Sequence, residues 1–356
     1  MQPRTKAIVM IIIVIISILI LSFLIFLAYM TMKDYRPDEV ETLQVEGNPA
    51  KKEIAGQQEL TLAAWNIGYA GLGREMDFFY DGGRQVRPDS QLQQKYWDGI
   101  VEQLEKFREF DFIMLLEVDR DSKRSFYYDQ WDEIKKIFSG HYSVFAWNYR
   151  VPFVPMPVYE MMGKVMSGMG TLSSAEPSKA ERYTLLSDDA WPVGLFTLDR
   201  CFILTRYPVE GGNELIIINT HNSAFDDGSL RKRQMSLLRN TMLHEYERGN
   251  YVIAAGDWNL NPPRRFSESI ITGDWVESID PPIDGVFLPV EWTWAFDPRV
   301  PTNRWVTEEY LKGRTWTTII DFFVLSPNIE LLDVETLDLS FENSDHNPVT
   351  ARVRLK

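Results

Sequence analysis

Along most of the chain, apolar residues come in short bursts. "LTLAAWNIG" (60–68), "FDFIMLLEVD" (110–119), "YSVFAWN" (142–148), "MGTLSS" (169–174), "RCFILTRYPV" (200–209), "ELIIINTHNS" (214–223), "YVIAAGDWN" (251–259), "TIIDFFVLS" (318–326) and "VTARVRL" (349–355) are continuous or alternating apolar runs with turn chemistry beside them. Each predicts a strand. Gly211-Gly212-Asn213 suits a hairpin connection between two of them. Three stretches between the runs have helical character: Ser90–Arg108, Tyr128–Phe138 and Ser229–Arg248. The last is an imperfect amphipathic pattern, with Leu230, Met235, Leu238 and Met242 set among charges. Helical connections lead into long apolar strands, whereas hairpins dominate the middle. That mix predicts an α/β chain in which two sheets pack face to face with helices outside.

One segment breaks the pattern. From Ala7 to Met30 there is no charged residue. As a helix this run is roughly 36 Å long, enough to cross a ~30 Å hydrocarbon core with some tilt. It far exceeds the ~7–15 residues of a signal-peptide h-region, and no A-x-A-like site follows it. Residues 1–32 therefore read as an uncleaved, single-pass anchor in the cell membrane, contacting lipid through residues 7–30. Arg4 and Lys6 precede the span and favour a cytoplasmic N-terminus with the remainder extracytoplasmic, although Lys33 and Arg36 weigh the other way. Residues 33–58 are polar without clear periodicity and are expected to be a tether. Residues 59–356 contain no repeat or second linker and are expected to form one large, monomeric domain.

The net charge of −14 narrows the partners. Residues 1–34 hold three basic side chains and one acidic one, so the rest carries −16. A domain this acidic repels polyanions at long range, which disfavours nucleic acid while leaving room for a local basic groove. Cys201 is the only cysteine, which excludes an intramolecular disulfide and any Cys-rich metal centre.

Polar groups intrude where the strands end. Asn66 closes the first strand, Glu117 follows "FIMLL", and His221 closes "LIIINT". Asp257 and Asn259 close "YVIAAG", Asp321 sits within "TIIDFFVL", and Asp345-His346 opens the last strand. Asp and Asn are poor strand residues, and an isolated buried carboxylate is costly. One such intrusion is ordinarily a cap or a buried hydrogen bond. Six point to a shared purpose, because strands lying side by side can bring their ends to one sheet edge. Glu, Asp and Asn are hard oxygen donors that suit Mg²⁺ or Mn²⁺ better than zinc. Histidines beside such an ion can move protons or contact a phosphoryl oxygen, and the ensemble suits hydrolysis of a phosphoester. If the chain stays extended through Trp258, Asp257 and Asn259 point the same way while Trp258 packs on the opposite side.

"AAWNIG", "MLLEVD", "INTHNSAFD", "AAGDWNLNP", "IIDFFVLS" and "SDHNPV", in this order, resemble the endonuclease/exonuclease/phosphatase superfamily, also called DNase-I-like. The resemblance covers about Thr61 to Leu355. It implies a four-layer α/β/β/α sandwich of two mixed, largely antiparallel sheets, and divalent-metal-dependent hydrolysis of phosphoesters. Carried over by motif, Glu117 is the principal metal ligand, with Asn66 close to metal and phosphate and Asp345 near the metal. Asp257 orients or deprotonates the attacking water, and Asn259 binds phosphate. His346 contacts the scissile phosphate and is held by Asp321. His221 matches the "NTH" histidine of phosphodiesterase and sphingomyelinase-like branches.

The passage "NYRVPFVPMPVYEMMGK" (148–164) departs from the family pattern. It reads either as an irregular loop covering the core or as an apolar loop touching substrate or membrane. Arg231-Lys232-Arg233 reads as a solvated helix face, and His141 and His244 as ordinary histidines. The leading expectation is an anchored phosphodiesterase acting on a lipid or small organophosphate, in the manner of a sphingomyelinase. A surface nuclease acting on DNA or RNA is the alternative, and a non-catalytic binding protein on the same scaffold is the alternative from another class.

Overall fold

The computed structural model describes residues 3–47, 49, 53–224, 228–263 and 282–356. Phe225 and Asp226 of the "INTHNSAFD" motif, and residues 48 and 50–52 of the expected tether, lie outside the described residues.

Sixteen strands occur among the described residues, in chain order. They are β1 (Val40–Thr42), β2 (Val45–Glu46), β3 (Glu59–Asn66), β4 (Phe112–Asp119), β5 (Tyr142–Val154), β6 (Gly163–Ser173), β7 (Lys179–Thr184) and β8 (Cys201–Pro208). Then follow β9 (Glu214–His221), β10 (Tyr251–Asp257), β11 (Thr293–Ala295), β12 (Asn303–Arg304), β13 (Thr317–Thr318), β14 (Asp321–Leu325), β15 (Ile329–Thr336) and β16 (Val349–Leu355). The helices are α1 (Pro3–Lys33), α2 (Ser90–Lys106), α3 (Gln130–Ile137) and α4 (Ser229–Glu247). One sheet runs β1-β7-β8-β9-β10-β14-β11 and the other β15-β16-β3-β4-β6-β5-β2, with β12-β13 as a small ribbon.

Alternation along the strands builds the layers. Leu60, Leu62 and Ala64 of β3 meet Ile253 and Ala255 of β10 and Phe323 and Leu325 of β14 between the sheets. The intervening residues face outward. Ala63, Trp65, Ile113 and Leu115 pack under Tyr96, Ile100 and Leu104 of α2 and Ile134 of α3. Ile216, Ile218, Val252 and Ala254 pack under Met235, Leu238 and Met242 of α4. Each fully buried Val, Leu, Ile, Phe or Met side chain among these contributes about 1.5–3 kcal/mol. The result is the expected four-layer α/β/β/α sandwich of mixed sheets. Asp89 starts α2 by accepting 2.9 Å bonds from the Gln91 and Leu92 amides.

The two sheets share a local plan. β3 lies parallel to β4 and antiparallel to β16. β10 lies parallel to β9 and antiparallel to β14. The C-terminal ends of four parallel strands and the N-terminal ends of their two antiparallel neighbours therefore meet at one edge of the sandwich.

Two segments differ from their sequence reading. Residues 148–164 are not irregular throughout: β5 and β6 continue as a hairpin paired out to Val154 and Gly163, and only residues 155–162 form the connecting loop. Apolar alternation is interrupted there by Pro152 and Pro155, which hides the pairing. Within the segment expected to be a tether, β1 pairs with β7 and β2 with β5, one at the edge of each sheet. Strands of three and two residues leave no periodicity to read. α1 is the one described helix long and apolar enough, by length and composition, to cross a membrane.

Candidate active site

The edge where the strand ends meet floors a cavity of about 720 Å³. Glu117, His221, Asp257, Asn259, Asp345 and His346 line it, while Asn66 and Asp321 lie directly beneath. All the residues singled out from sequence thus come together.

Backbone register sets the floor. Asp257, the last residue of β10, stands opposite His221 on β9 and Asp321 on β14. Gly256 holds β10 and β9 close: a Cβ there would lie 2.1 Å from the Thr220 carbonyl oxygen, and its φ is +133°. On the other sheet, Asn66 ends β3 and donates to Glu117 Oε1 at 3.2 Å and to Asp257 Oδ2 at 3.3 Å. It thereby ties the two sheets together across the site.

Glu117 reaches the cavity through a bulge. Strict alternation would put it on the helix-facing side with Ile113 and Leu115. The register of β4 against β6 jumps between Leu115 and Val118, and Glu117 takes φ +53°. Val118 then occupies the helix-facing layer in its place, and Glu117 turns to the floor.

Asn259 corrects one expectation. β10 ends at Asp257, and Asn259 has φ +49°, so the chain is not extended through Trp258. The Asn259 amide donates to Asp257 Oδ1 at 2.9 Å, and its side chain donates to the Asn222 carbonyl at 2.9 Å. A turn, and not strand pleating, brings it to the cavity. Trp258 does pack away from the site, stacked on Phe322 at 5.1 Å.

The histidines differ in charge. His346 Nδ1 is 2.8 Å from Asp321 Oδ2, and its Nε2 is 3.9 Å from Asp257 Oδ2. Burial works against its positive form, but the Asp321 and Asp345 carboxylates outweigh burial and hold its pKa well above the ordinary value. A doubly protonated ring needs an acceptor at Nε2. As placed, the Asn303 amide nitrogen lies 2.9 Å from Nε2, and serving as that acceptor would require the opposite amide orientation. Burial pushes His221 the opposite way, well below its usual value, helped by Arg200 and by His346. Its Nδ1 faces the Asn148 amide at 3.1 Å, and its Nε2 lies 3.5 Å from Asp257.

Burial raises Asp257 to about 7, with Asp321 adding to the effect. Burial likewise raises Asp345 to about 7, against the pull of His346. These carboxylates lack enough positive charge around them, and their hard oxygens fit Mg²⁺ or Mn²⁺. The ligand atoms of Asp257, Asp321 and His346 lie within 4.8 Å of one another. Yet the Asp321–His346 hydrogen bond already occupies two of those three donors, so Glu117 and Asp345 are the freer pair. As placed, Asn66 turns its nitrogen to Glu117 and its oxygen to the Gly68 amide at 3.0 Å. Ligation by Asn66 would require the opposite amide orientation.

Sequence reasoning missed Asn148, Asn303 and Arg200. Asn148 lies inside an apolar run, the same signal that exposed Asn66. Asn303 sits on a two-residue strand and gave none. Arg200 lines the cavity, and its buried Nη1 has no hydrogen-bond partner among the described residues. Arg231 is buried and donates to the Ala224 carbonyl, whereas Lys232 and Arg233 are exposed, with Arg233 paired to Asp188 on the cavity wall. His141 and His244 lie outside this cavity.

The model of the Endonuclease/Exonuclease/phosphatase family matches residues 63–346. The chain belongs to this family and is a phosphoester-hydrolysing enzyme; family members generally use divalent metals. An endonuclease/exonuclease/phosphatase from Beutenbergia cavernae shares the fold with TM-score 0.57 and 16% identity, over 84% of this chain and 72% of that one. ANGEL2, a 2',3'-cyclic phosphatase solved with adenosine-2',3'-vanadate, gives TM-score 0.55 at 13% identity, over 88% and 99%. D. rerio TDP2 complexed with a single-strand DNA product gives 0.51 at 13%, over 83% and 99%. No curated protein sequence matches the chain.

Proposed function

We propose that the protein is a membrane-anchored, Mg²⁺- or Mn²⁺-dependent phosphodiesterase acting on a lipid or small organophosphate. The observation that carries this reading is the convergence of Glu117, Asp257, His221 and the Asp321–His346 pair on one cavity floor. Glu117 and Asp345 would hold the cation, which when bound supplies Lewis-acid polarisation of the phosphoryl group. Asp257 accepts the proton of the attacking water. His346, charged and fixed by Asp321, donates to a phosphoryl oxygen. Neutral His221, held by Asn148, hydrogen-bonds the phosphate or assists the leaving group through Nε2. Asn259 and the Arg200 guanidinium offer further donors to the phosphate.

The lipid preference draws support from the apolar α1 and from the cavity wall, where Phe78, Tyr80, Tyr149, Met162 and Leu198 stand above the polar floor. A nuclease is the second reading, favoured by the likeness to TDP2 bound to DNA; the domain's negative charge weighs against it. The full-length chain in detergent, given sphingomyelin, phosphatidyl substrates and single- and double-stranded DNA at one metal and salt concentration, separates the two. Faster turnover of phospholipid is expected. Preferential DNA cleavage would reverse the assignment.

A further inference from the structure

We propose that α1 is a docking strut and not a loose anchor, and that it seats the cavity mouth at the headgroup level of the bilayer it spans, so that the substrate is a phospholipid of that same bilayer. The substrate half of this inference rests on the phosphodiesterase reading; the docking half does not.

The length of free helix is the first observation. Every described side chain of α1 from Arg4 to Ile25 is exposed. The apolar part of that stretch, Ala7 to Ile25, spans roughly 28 Å, close to the ~30 Å of a hydrocarbon core. Contact with the domain begins where that length runs out. Leu27 and Met30 are buried, and Phe26 and Thr31 half-buried, on one face of the last turns.

Two segments grip that face. Phe26 meets Phe153 of the β5–β6 hairpin edge-on at 5.9 Å and stacks on Phe196 at 6.0 Å. Trp191 Nε1 donates to Thr31 Oγ1 at 3.1 Å. The same segments wall the cavity: Tyr149 and Met162 come from the hairpin, and Thr197 and Leu198 from the 191–198 stretch. Tyr149, Met162 and Leu198 belong to the apolar cluster that also holds Leu27 and Met30. The cavity wall and the helix thus share one apolar cluster.

Those segments also expose apolar and aromatic side chains. Trp191 is 63% exposed, Val193 57%, Val158 74% and Tyr159 68%. Trp and Tyr favour the membrane–water interface, and Trp191 is bonded to the helix within two turns of where the hydrocarbon ends. A bilayer covers this surface without further protein.

The test uses the full chain in phosphatidylcholine vesicles containing lipid brominated near the glycerol end of its acyl chains. Quenching of tryptophan fluorescence is compared with the Trp191→Phe variant, and Val193→Glu is assayed on vesicle phospholipid and on soluble bis-p-nitrophenyl phosphate. Docking predicts quenching that falls in Trp191→Phe, and a several-fold loss of phospholipid turnover in Val193→Glu with bis-p-nitrophenyl phosphate hydrolysis unchanged. Equal quenching in wild type and Trp191→Phe would overturn the docked geometry. Hydrolysis of the soluble diester without phospholipid turnover would overturn the bilayer as the substrate's source. If quenching differs as expected but neither phosphoester is cleaved, the hydrolase reading and its lipid substrate fall and the docking stands.

Discussion

Asp321 Oδ2 lies 2.8 Å from His346 Nδ1, and Asp321 stands opposite Asp257 in the register of β14 and β10. One strand position thus fixes the imidazole and crowds the carboxylate beside it. In Asp321→Asn the charge that sustains the imidazolium disappears while the shape is kept. We expect kcat to fall about 100-fold, in the range of general acid–base effects, with KM little changed. NMR titration of His346 should show its pKa lowered in the variant; an unmoved pKa would remove Asp321 from this role.

Glu117 holds a left-handed backbone that a non-glycine residue enters at a cost of about 1–3 kcal/mol. Glu117→Gly relieves that cost and removes one carboxylate from a crowded acidic floor. Thermal melting in EDTA should therefore be unchanged or higher, while the stabilisation given by Mn²⁺ shifts to much higher metal concentration. A variant that melts lower yet keeps the wild-type Mn²⁺ response would contradict both the strain and the ligand role.

How legible this site was depends on the length scale of each signal. The strand-end residues announced themselves because a polar group after five or six apolar residues violates a period of two. The bulge at Glu117 left no trace, since an inserted residue changes register without changing composition. The turn at Asn259 is a matter of φ, which Asp-Trp-Asn does not specify. The grip on α1 depends on Phe153, Trp191 and Phe196, which are distant in sequence from Phe26 and Thr31 and ordinary in composition.

Asp199 offers a pH test away from the floor. Burial pushes its carboxyl up to about 7, against the pull of Arg182 and with help from Asp34. A folded pKa above the unfolded value of about 3.9 favours the folded state in the neutral form. The wild type therefore loses this contribution as pH rises from about 4 to about 7. Asp199→Asn has no such loss, so its melting temperature relative to wild type should climb across that window and level above it. A constant difference from pH 4 to pH 8 would refute the assignment.

Behind the site, Arg124 is held by Asp119 at 2.9 and 3.0 Å and lies 3.6 Å over the ring of Tyr69, which lines the cavity. Both charges are almost fully buried. Asp119→Ala strands the guanidinium and should cost about 3–5 kcal/mol in denaturant unfolding. Adding Arg124→Met should recover much of it; no recovery would mean that the ion pair is not the source of the loss.

The central claim is that a hard cation and the side chains around it cleave a phosphoester at this edge of the sandwich. The most direct measurement is hydrolysis of bis-p-nitrophenyl phosphate by the full-length chain in detergent, with Mg²⁺ or Mn²⁺ and then with EDTA, beside the Asp257→Asn variant. The account predicts turnover with metal, loss in EDTA that metal restores, and a fall of at least about 100-fold in the variant. Equal turnover in EDTA, or a variant as active as wild type, would contradict it.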